Sequence, residues 1–422
     1  MRVSFLSFAL APVLLFGTLF IGCSSSPGAC EGVICDDFNV CTDDRCDPET
    51  GTCVYSSVVE GTECDFAGLP GVCRGGQCTD ADLCGDVNCD DQNDCTEERC
   101  IATTGLCEYE DLPDGTPCGD GGCEGGVCTS EFSCTKEGIL NAIAAGGGPY
   151  TFACGGPTTV EGGQMVIDSD VVLDGEGDLT IRGHFTVNAD VVAELRRMTI
   201  REGQGGVLGF GGGGILNLGT LSLTNCTVTE NSQEVGAGIY NDEGDLTLTN
   251  STVSRNHNAS VGGGIYNDQG TVTLVNSTLS LNDPGGIANS QGVVTMTNCT
   301  IAQVFGNSVT SYEGEVNMTG TLLQGSCPEP LVTSGDYNIE SPGDTCGLDQ
   351  ANDQVDVSEM ELWLGALKDN GGDTYTHLPG PTSFAIDVSP AEDCETLADQ
   401  RGIERPQGPR CDVGSVEVES AP

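Results

Sequence analysis

The residues best suited to chemistry form a cluster of charged side chains near the centre of the chain. Its members are Glu194, Arg196, Arg197, Arg201 and Glu202. An exposed arginine could act as the base of an elimination reaction, whereas a hydrolase would need two carboxylic acids at a fixed separation. Salt bridges on an exposed strand are the simpler interpretation, and we favour it. We therefore assign no catalytic residue from the sequence.

Histidine, the usual acid–base group near neutral pH, occurs three times. His184 lies in RGHF without the neighbouring residues that would complete a hydrolase motif, and His257 lies in a predicted turn. His377 is predicted to form hydrogen bonds that support the C-terminal region. We expect no metal at any of the three, because no further ligands accompany them.

Acidic residues near the N-terminus raise a second possibility, a calcium site. The candidates are Asp36, Asp37, Asp43, Asp44, Asp90, Asp91 and Asp94, with Glu97 beside them. Closely spaced carboxylates supply the hard oxygen ligands that Ca²⁺ prefers, but no glycine-centred calcium loop is present. A solvated acidic surface is the interpretation that we favour, and calcium is the one cofactor left open.

These acidic residues lie among regularly spaced cysteines. One set of eight occupies positions 30, 35, 41, 46, 53, 64, 73 and 78, and a second occupies 84, 89, 95, 100, 107, 118, 123 and 128. No histidine lies among them, so disulfides in an exported protein explain the pattern better than zinc does. Segments this short, with few large apolar side chains, need covalent cross-links. The spacing alone leaves the pairing open.

Three further cysteine pairs are close in sequence, and we predict that each forms a local disulfide. They are Cys134 with Cys154, Cys327 with Cys346, and Cys394 with Cys411. The first pair encloses EGILNAIAA, where Ile139, Leu140 and Ile143 are predicted to lie on one face of a short helix. That helix would cover the first edge of the repeat region that follows, which would otherwise be free to aggregate.

The element that must position the central arginines is a repeat of 22 to 26 residues. Isoleucine recurs at 215, 239, 265 and 287, and asparagine recurs two positions after each. Segments such as LTLTNSTV alternate apolar with small polar residues, which indicates strands, and glycine-rich turns separate them. We predict an all-β fold, a parallel β-helix with one repeat per turn, in which equivalent residues stack at about 4.8 Å. Residues 155–325 would form about seven turns.

A second asparagine column is predicted to form a hydrogen-bonded ladder inside the β-helix. It contains Asn225, Asn250, Asn276 and Asn298, each followed by Cys or Ser and then Thr. These triplets also match glycosylation acceptors, but their recurrence in the strand register favours the ladder. Cys226 and Cys299 share the next column, about 14 Å apart and beyond the reach of a disulfide. We therefore predict that both are buried free thiols.

The first residues, MRVSFLSFALAPVLLFGTLFIGC, contain one early arginine, a long apolar run and a glycine before Cys23. They resemble a bacterial lipoprotein signal, in which cleavage leaves Cys23 acylated, and an uncleaved membrane helix is the alternative. The predicted organisation is a signal peptide 1–22, a lipidated tether 23–29, cysteine-rich repeats 30–79 and 84–128, a β-helix with its N-terminal cap 130–350, and a C-terminal cap region 351–422.

The overall charge excludes one class of partner. The chain has 64 acidic and 14 basic residues, which give a formal net charge of −50. Nucleic acids and anionic lipid surfaces would therefore repel it. We expect contact with a membrane only through the lipid on Cys23, and we expect polysaccharides or other surface proteins as partners.

Three families resemble parts of the chain. Residues 30–128, with CDDFNVCTDDRC and CDDQNDCTEERC, resemble the slime-mould CTDC-type repeat, which implies an extracellular spacer or adhesion module. Residues 134–417 resemble the choice-of-anchor Q family of bacterial surface proteins through the GGGIYN, DNGG, AID and DQRG motifs. That resemblance implies a right-handed parallel β-helix with a C-terminal cap. The repeats are also similar to those of chlamydial polymorphic outer-membrane proteins.

These observations predict a lipoprotein of the bacterial outer membrane that is exposed on the cell surface. Its β-helical rod would serve adhesion or ligand binding, and we favour a protein without catalytic activity. Two alternatives stay open. One is a surface polysaccharide lyase or hydrolase on the same scaffold, and the other is a structural spacer of the envelope.

Overall fold

The structure is a computed structural model. It describes residues 29–66, 69–80, 84, 87–101, 106–114, 116–118, 121–129, 131–205, 211–328 and 332–419. The predicted signal peptide and the predicted lipidation site, Cys23, lie outside these residues. The chain divides into two compact units, Met1–Asp90 with Glu98–Glu108 and Asp91–Glu97 with Tyr109–Pro422. Within the described ranges, no helix has the length and apolar character needed to cross a membrane.

The two cysteine-rich segments consist of short strands joined by turns. The strands are β1 (Thr42–Cys46), β2 (Cys53–Ser57), β3 (Glu63–Phe66), β4 (Leu69–Arg74), β5 (Gln77–Asp80), β6 (Thr96–Ile101), β7 (Leu106–Asp111), β8 (Pro117–Cys118), β9 (Gly121–Glu124) and β10 (Val127–Thr129). Each segment begins with a two-stranded pair, β1–β2 or β6–β7, and continues into a three-stranded sheet, β3–β4–β5 or β8–β9–β10.

Both segments have the same disulfide pattern, which the sequence had left open. In each, the first cysteine is bonded to the fourth, the second to the fifth, the third to the seventh and the sixth to the eighth. The bonds are Cys30–Cys46, Cys35–Cys53, Cys41–Cys73, Cys64–Cys78, Cys84–Cys100, Cys89–Cys107, Cys95–Cys123 and Cys118–Cys128. Matching spacing thus produces matching connectivity.

The repeats form a parallel solenoid. Its strands are β11 (Glu131–Ser133), β12 (Gly147–Ala153), β13 (Thr158–Ile167), β14 (Val171–Val187), β15 (Val192–Arg201), β16 (Ile215–Asn217), β17 (Thr220–Thr224), β18 (Thr227–Thr229), β19 (Ile239–Asp242), β20 (Asp245–Thr249), β21 (Thr252–Ser254), β22 (Ile265–Asp268), β23 (Thr271–Val275), β24 (Thr278–Ser280), β25 (Ile287–Ser290), β26 (Val293–Thr297), β27 (Thr300–Ala302), β28 (Val309–Tyr312), β29 (Glu315–Thr319), β30 (Leu322–Gln324), β31 (Val332–Ser334) and β32 (Ile339–Ser341). The ladders between these described strands are parallel, which confirms the predicted fold class.

Each turn of the solenoid contributes a strand to three faces. Face 1 contains β16, β19, β22, β25 and β28; face 2 contains β17, β20, β23, β26 and β29; face 3 contains β18, β21, β24, β27 and β30. The longer strands β13, β14 and β15 bend around corners and belong to more than one face. The stack has about nine turns, more than predicted, because it extends beyond residues 155–325 at both ends.

A single hydrophobic core runs along the inside of the solenoid. The predicted isoleucine column, at 215, 239, 265 and 287, is in register and fully or almost fully buried. Strands such as β20 and β23 alternate buried and half-buried residues, so apolar side chains point inward and threonines point outward. Stacking therefore converts the sequence repeat into a continuous interior.

A helix, α1 (Lys136–Ala145), packs against the first strands. Thr135 caps it by accepting a hydrogen bond from the Gly138 amide at 3.1 Å. The buried face contains Ile139, Ala142 and Ile143 rather than the predicted Leu140, which is 37% exposed. Positions three and four residues apart share a face of an α-helix, and Leu140 lies a quarter turn away from Ile139. A disulfide joins Cys134 to Cys154 across this region.

The C-terminal region has little regular structure. Its elements are α2 (Glu359–Leu362), β33 (Ser389–Pro390), a 3₁₀ turn (Ala391–Asp393) and β34 (Arg410–Cys411). Disulfides join Cys327 to Cys346 and Cys394 to Cys411. From about residue 373 onwards this region lies along the outer side of face 3, so it covers a flank of the solenoid. We call residues 364–417 the tail.

Candidate functional site

The outer side of face 3 has a column of stacked threonines. In register from turn to turn they are Thr180, Thr199, Thr227, Thr252, Thr278 and Thr300. Threonine suits this position because its β-branched side chain favours a strand and its hydroxyl can both donate and accept a hydrogen bond. Outward threonines alternating with inward aliphatic residues thus create a strip of hydroxyl groups along the solenoid.

The tail covers one half of this column and leaves the other half open. Thr252 donates a hydrogen bond to the carbonyl oxygen of Tyr375 at 2.7 Å, and Thr278 donates one to the side-chain oxygen of Gln400 at 2.6 Å. The open half is a groove of about 340 Å³. It is lined by Thr180, Thr199, Arg201, Thr227, Thr229, Glu230, Thr252, Ser254, Arg255, Asp373 and Tyr375.

The groove contains two arginines in different electrostatic environments. Arg201 forms ion pairs with Glu202 at 2.7 Å and Glu230 at 2.5 Å, yet its Nε is buried without a hydrogen-bond partner among the described residues. Arg255 lies at the corner of the solenoid that follows face 3. No described carboxylate is within ion-pair distance of its guanidinium. In a chain of net charge −50 an unpaired, half-buried cation is unusual.

The rest of the predicted arginine cluster lies outside the groove and is ion-paired. Arg196 pairs with Glu194 at 2.7 Å on face 2, and the hydrogen bond from Arg196 lowers the pKa of Glu194 against the effect of burial. Arg197 pairs with the buried Asp174 at 2.5 Å, and this hydrogen bond raises the pKa of Arg197. These contacts are the salt bridges that the favoured interpretation predicted.

Two of the three histidines lie apart from the groove. His184 is buried, with Nδ1 at 3.3 Å from the Gly213 carbonyl oxygen and Nε2 at 2.9 Å from the Thr186 hydroxyl. Burial lowers the pKa of His184, so the neutral ring is favoured. His257 is exposed and forms an isolated parallel β-bridge with Ser232 rather than lying in the predicted turn, and its Nδ1 is 3.2 Å from the carbonyl oxygen of Arg255.

His377 joins the tail to face 3, which agrees with the predicted supporting role. Its Nδ1 lies 2.6 Å from the Gly365 carbonyl oxygen and its Nε2 lies 2.8 Å from the Ser280 hydroxyl. Burial lowers the pKa of His377, and the positive charge of Arg255 lowers it further. A neutral ring bridging two segments positions the tail and is not free for acid–base chemistry.

The asparagines predicted to form a ladder do not bond to one another, and this prediction is wrong. Asn225, Asn250, Asn276 and Asn298 occupy the corner between faces 2 and 3, with φ of 56°, 52°, 47° and 50°. Asparagine recurs there because it tolerates the left-handed conformation better than most residues. Three of the four side chains reach outward to the tail and hydrogen bond to Asp373, Ala398 and Thr396.

Two other asparagine columns form the inner ladders. Asn217, Asn241, Asn267 and Asn289 are linked side chain to side chain at 2.7, 2.7 and 2.8 Å. Asn231, Asn256 and Asn282 form the second ladder with links of 3.0 and 3.0 Å. The second column was missed, although each member follows a strand of face 3 at the same distance. A Cβ on Gly270 would lie 2.3 Å from the Asn241 amide, so the first ladder also requires glycine beside it.

The solenoid contains two unbonded cysteines. Cys226 and Cys299 are fully buried and free, which confirms the prediction. Burial raises the pKa of each thiol to about 12. Ser251 and Ser277 occupy the turns between them, and the Cys226 amide donates to the Ser251 hydroxyl at 3.1 Å. This column is packed core and offers no reactive thiolate.

The calcium candidates in the cysteine-rich segments mainly build turns. The Asp37 carboxylate accepts hydrogen bonds from the Asn39 amide and the Thr42 hydroxyl, each at 2.9 Å, and Asp91 does the same for Asn93 and Thr96. Their partners in the motif are also engaged. The carboxylates of Asp36 and Asp44 each accept a hydrogen bond from a main-chain amide, and Asp43 forms an ion pair with an arginine. In the second segment Asp90 and Asp94 lie in the turn region around Asp91.

Only some of the side chains that line the groove were predicted from the sequence. Arg201 belonged to the predicted cluster, and the threonine column could have been found from the recurring Thr that starts four of the five strands of face 3. Asp373 and Tyr375 enter from the tail, more than a hundred residues away in sequence, and no local pattern could have placed them there. Arg255 stands out only once the structure shows that no carboxylate of the described residues lies within ion-pair distance of its guanidinium, although Glu230 and Asp373 line the same groove.

Comparison with known proteins supports the fold. Residues 183–345 match a family model described as a right handed beta helix region, which covers less than half of the chain. The solenoid is therefore a right-handed parallel β-helix. A sequence search of curated proteins finds no match. Among solved structures, "Crystal structure of pectate lyase Pel9A" aligns at 10% identity over 68% of this chain and 96% of that chain, with a TM-score of 0.35. A likeness so remote carries no functional argument.

Proposed function

We propose that this chain is a lipid-anchored protein of the bacterial cell surface whose β-helix binds an extended polymer without converting it. The observation that supports this most directly is the groove on face 3. Its floor repeats the same hydroxyl group once per turn, and a regular strip of this kind suits a chain-like ligand. The eleven disulfides among the described residues fit an exported protein, and Cys23 is the proposed site of acylation.

The acids and bases of the groove favour binding over catalysis. Glu230 is held by Arg201 at 2.5 Å, and Asp373 accepts a hydrogen bond from Asn225 at 2.8 Å. A general acid–base pair needs groups that are free to exchange protons with a substrate. The polysaccharide lyase or hydrolase therefore remains the second candidate, and the resemblance to choice-of-anchor Q surface proteins favours the binding role.

The test is binding to glycan and protein arrays, with and without a chelator, by the purified chain and two matched variants. Thr199→Val with Thr227→Val removes two hydroxyls from the groove, whereas Thr247→Val with Thr273→Val removes two from the outer side of face 2. We expect a ligand that the first variant loses and the second keeps. Binding that both variants retain would contradict the proposal.

The enzymatic alternative is tested by incubating the protein with a panel of polysaccharides and measuring reducing ends and unsaturated products. Turnover that Arg201→Ala abolishes would replace the proposal by the lyase. Lipidation is tested separately with an alkyne-labelled fatty acid in the native host. Label on the chain that Cys23→Ala removes would support the anchor, and equal labelling of both would contradict it.

A further inference from the structure

The tail already shows how face 3 holds a polypeptide. Residues 373–377 cross this face and contact two successive turns of it. The Thr374 hydroxyl donates to the Asn250 carbonyl oxygen at 3.0 Å, the Thr252 hydroxyl donates to the Tyr375 carbonyl oxygen at 2.7 Å, and His377 bonds to Ser280 at 2.8 Å. A hydroxyl of the column thus pairs with a main-chain carbonyl, which every peptide possesses.

The open groove continues the surface on which the tail is seated. Thr180, Thr199 and Thr227 occupy the register positions that precede Thr252, and their hydroxyls form no hydrogen bond within the described part of the chain. The groove ends at Asp373 and Tyr375, where the tail begins its crossing. A second extended segment placed in the groove would meet the same hydroxyl column that binds the tail.

The charges of the groove specify what that segment should carry. At the corner that follows face 3, successive turns place Glu202, Glu230 and then Arg255, each with positive φ. Both glutamates are ion-paired with Arg201, and Glu202 also pairs with Arg182 at 2.9 Å, so both carboxylates are already engaged. The Arg255 guanidinium, in contrast, has no carboxylate partner among the described residues. A half-buried cation that is left unpaired costs free energy, which an incoming carboxylate would recover.

We infer that the groove on face 3 binds an extended segment of a partner protein, with an Asp or Glu side chain of that segment paired with Arg255. This inference rests on the proposed function and deepens it by naming the class of polymer. It follows from two independent features, the tail seated on the same hydroxyl column and the unpaired arginine beside it. The partner is recognised through its main chain and one acidic side chain, so a wide range of sequences around that acid would fit.

The experiment selects binders for the full-length chain from a display library of random short peptides and measures their affinities. We expect the selected peptides to be enriched in Asp or Glu. Arg255→Gln should weaken them about tenfold or more, as the loss of one charge-assisted contact requires. Gln303 occupies the equivalent left-handed corner two turns later, so glutamine fits the backbone at this position.

Matched controls separate this contact from general effects of charge. Arg196→Gln removes a cation that pairs with Glu194 on face 2, outside the groove, and should leave affinity within about twofold. Thr199→Val with Thr227→Val should also abolish selection. Peptides that bind equally well to Arg255→Gln would overturn the inference. Its failure can be distinguished from that of the proposed function. If a glycan binds and needs the groove hydroxyls, the inference of a peptide ligand is wrong and the proposal of polymer binding stands. If neither a glycan nor a peptide binds, both are wrong.

Discussion

The cysteine-rich segments and the β-helix solve the same stability problem in different ways. Among the described residues up to 129, the buried apolar side chains are all half-cystines, namely Cys41, Cys73, Cys95, Cys118 and Cys123. The β-helix has a continuous aliphatic core and two asparagine ladders instead. A short segment buries too little apolar surface to fold alone, whereas each turn of a solenoid buries its side chains against the next.

The same residue types therefore have different roles in the two regions. In the cysteine-rich segments asparagine and aspartate shape turns around the disulfides, as Asn39 does when it accepts from the Cys41 amide and donates to the Gly76 carbonyl oxygen. In the β-helix the inward asparagines bond to their own copies one turn away. Cysteine is a cross-link in the first region and a small core residue in the second.

The largest difference between the two regions should appear when their disulfides are reduced. Each disulfide contributes about 2–4 kcal/mol, so reducing four in a segment should unfold residues 30–128. The β-helix has only peripheral disulfides and should keep its fold. Limited proteolysis with mass spectrometry, with and without a reductant, measures this. Cleavage should be confined to the cysteine-rich segments, and simultaneous release of peptides from residues 215–319 would show that the comparison is wrong.

The second-largest effect on stability should come from the inner ladder that contains Asn241, Asn267 and Asn289. Asn267→Ala removes an acceptor from Asn241 and a donor to Asn289 and leaves a cavity, which should cost about 3 kcal/mol in free energy of unfolding. The control, Asn250→Gly, changes an outward corner whose side-chain oxygen has no hydrogen-bond partner among the described residues, and should cost less than about 1 kcal/mol. Chemical denaturation followed by circular dichroism measures both. Equal losses would mean that the corner column matters as much as the ladder.

A smaller effect follows from a carboxyl group in the tail. Burial raises the pKa of Asp412 from 3.8 to about 6, so the folded protein binds this proton more tightly than the unfolded chain does. Through this group the free energy of unfolding falls as pH rises from about 4 to about 6, by on the order of 2 kcal/mol.

The measurement is the difference in free energy of unfolding between the native chain and Asp412→Asn across this pH range. The stability advantage of the variant should grow with pH between about 4 and 6 and then level off. His377, whose pKa is lowered by burial, titrates with the opposite sign but is present in both proteins, so its contribution cancels. A difference that does not change with pH would exclude the buried carboxyl as its source.

The smallest effect should come from the cysteines of the β-helix. Ser251 occupies the same column as Cys299 and bonds to the carbonyl oxygens of Leu223 and Thr249, so serine has suitable acceptors there. Cys299→Ser should therefore change the free energy of unfolding by less than about 1 kcal/mol. Breaking the Cys41–Cys73 bond should expose its segment to protease. Comparable losses in the two variants would abolish the distinction drawn between the regions.

Much of the fold was predictable from single columns of residues. The recurring isoleucines indicated stacked parallel strands because a side chain that repeats once per turn must meet its own copy. The direction of each asparagine was not predictable in the same way. Asn241 and Asn276 recur with the same period, and only the backbone angle of the corner sends one inward and the other out to the tail.

Sequence alone determined that this chain stacks repeats into a parallel β-helix and cross-links its N-terminal segments, because both follow from local spacing. It also determined that Cys226 and Cys299 could not be joined, since turns between them keep them apart. Tertiary structure alone decided where the groove lies and which arginine is left unpaired in it. Those features depend on where the tail crosses face 3, and contacts such as that of Thr252 with Tyr375 join residues too distant in sequence for any periodicity to relate them.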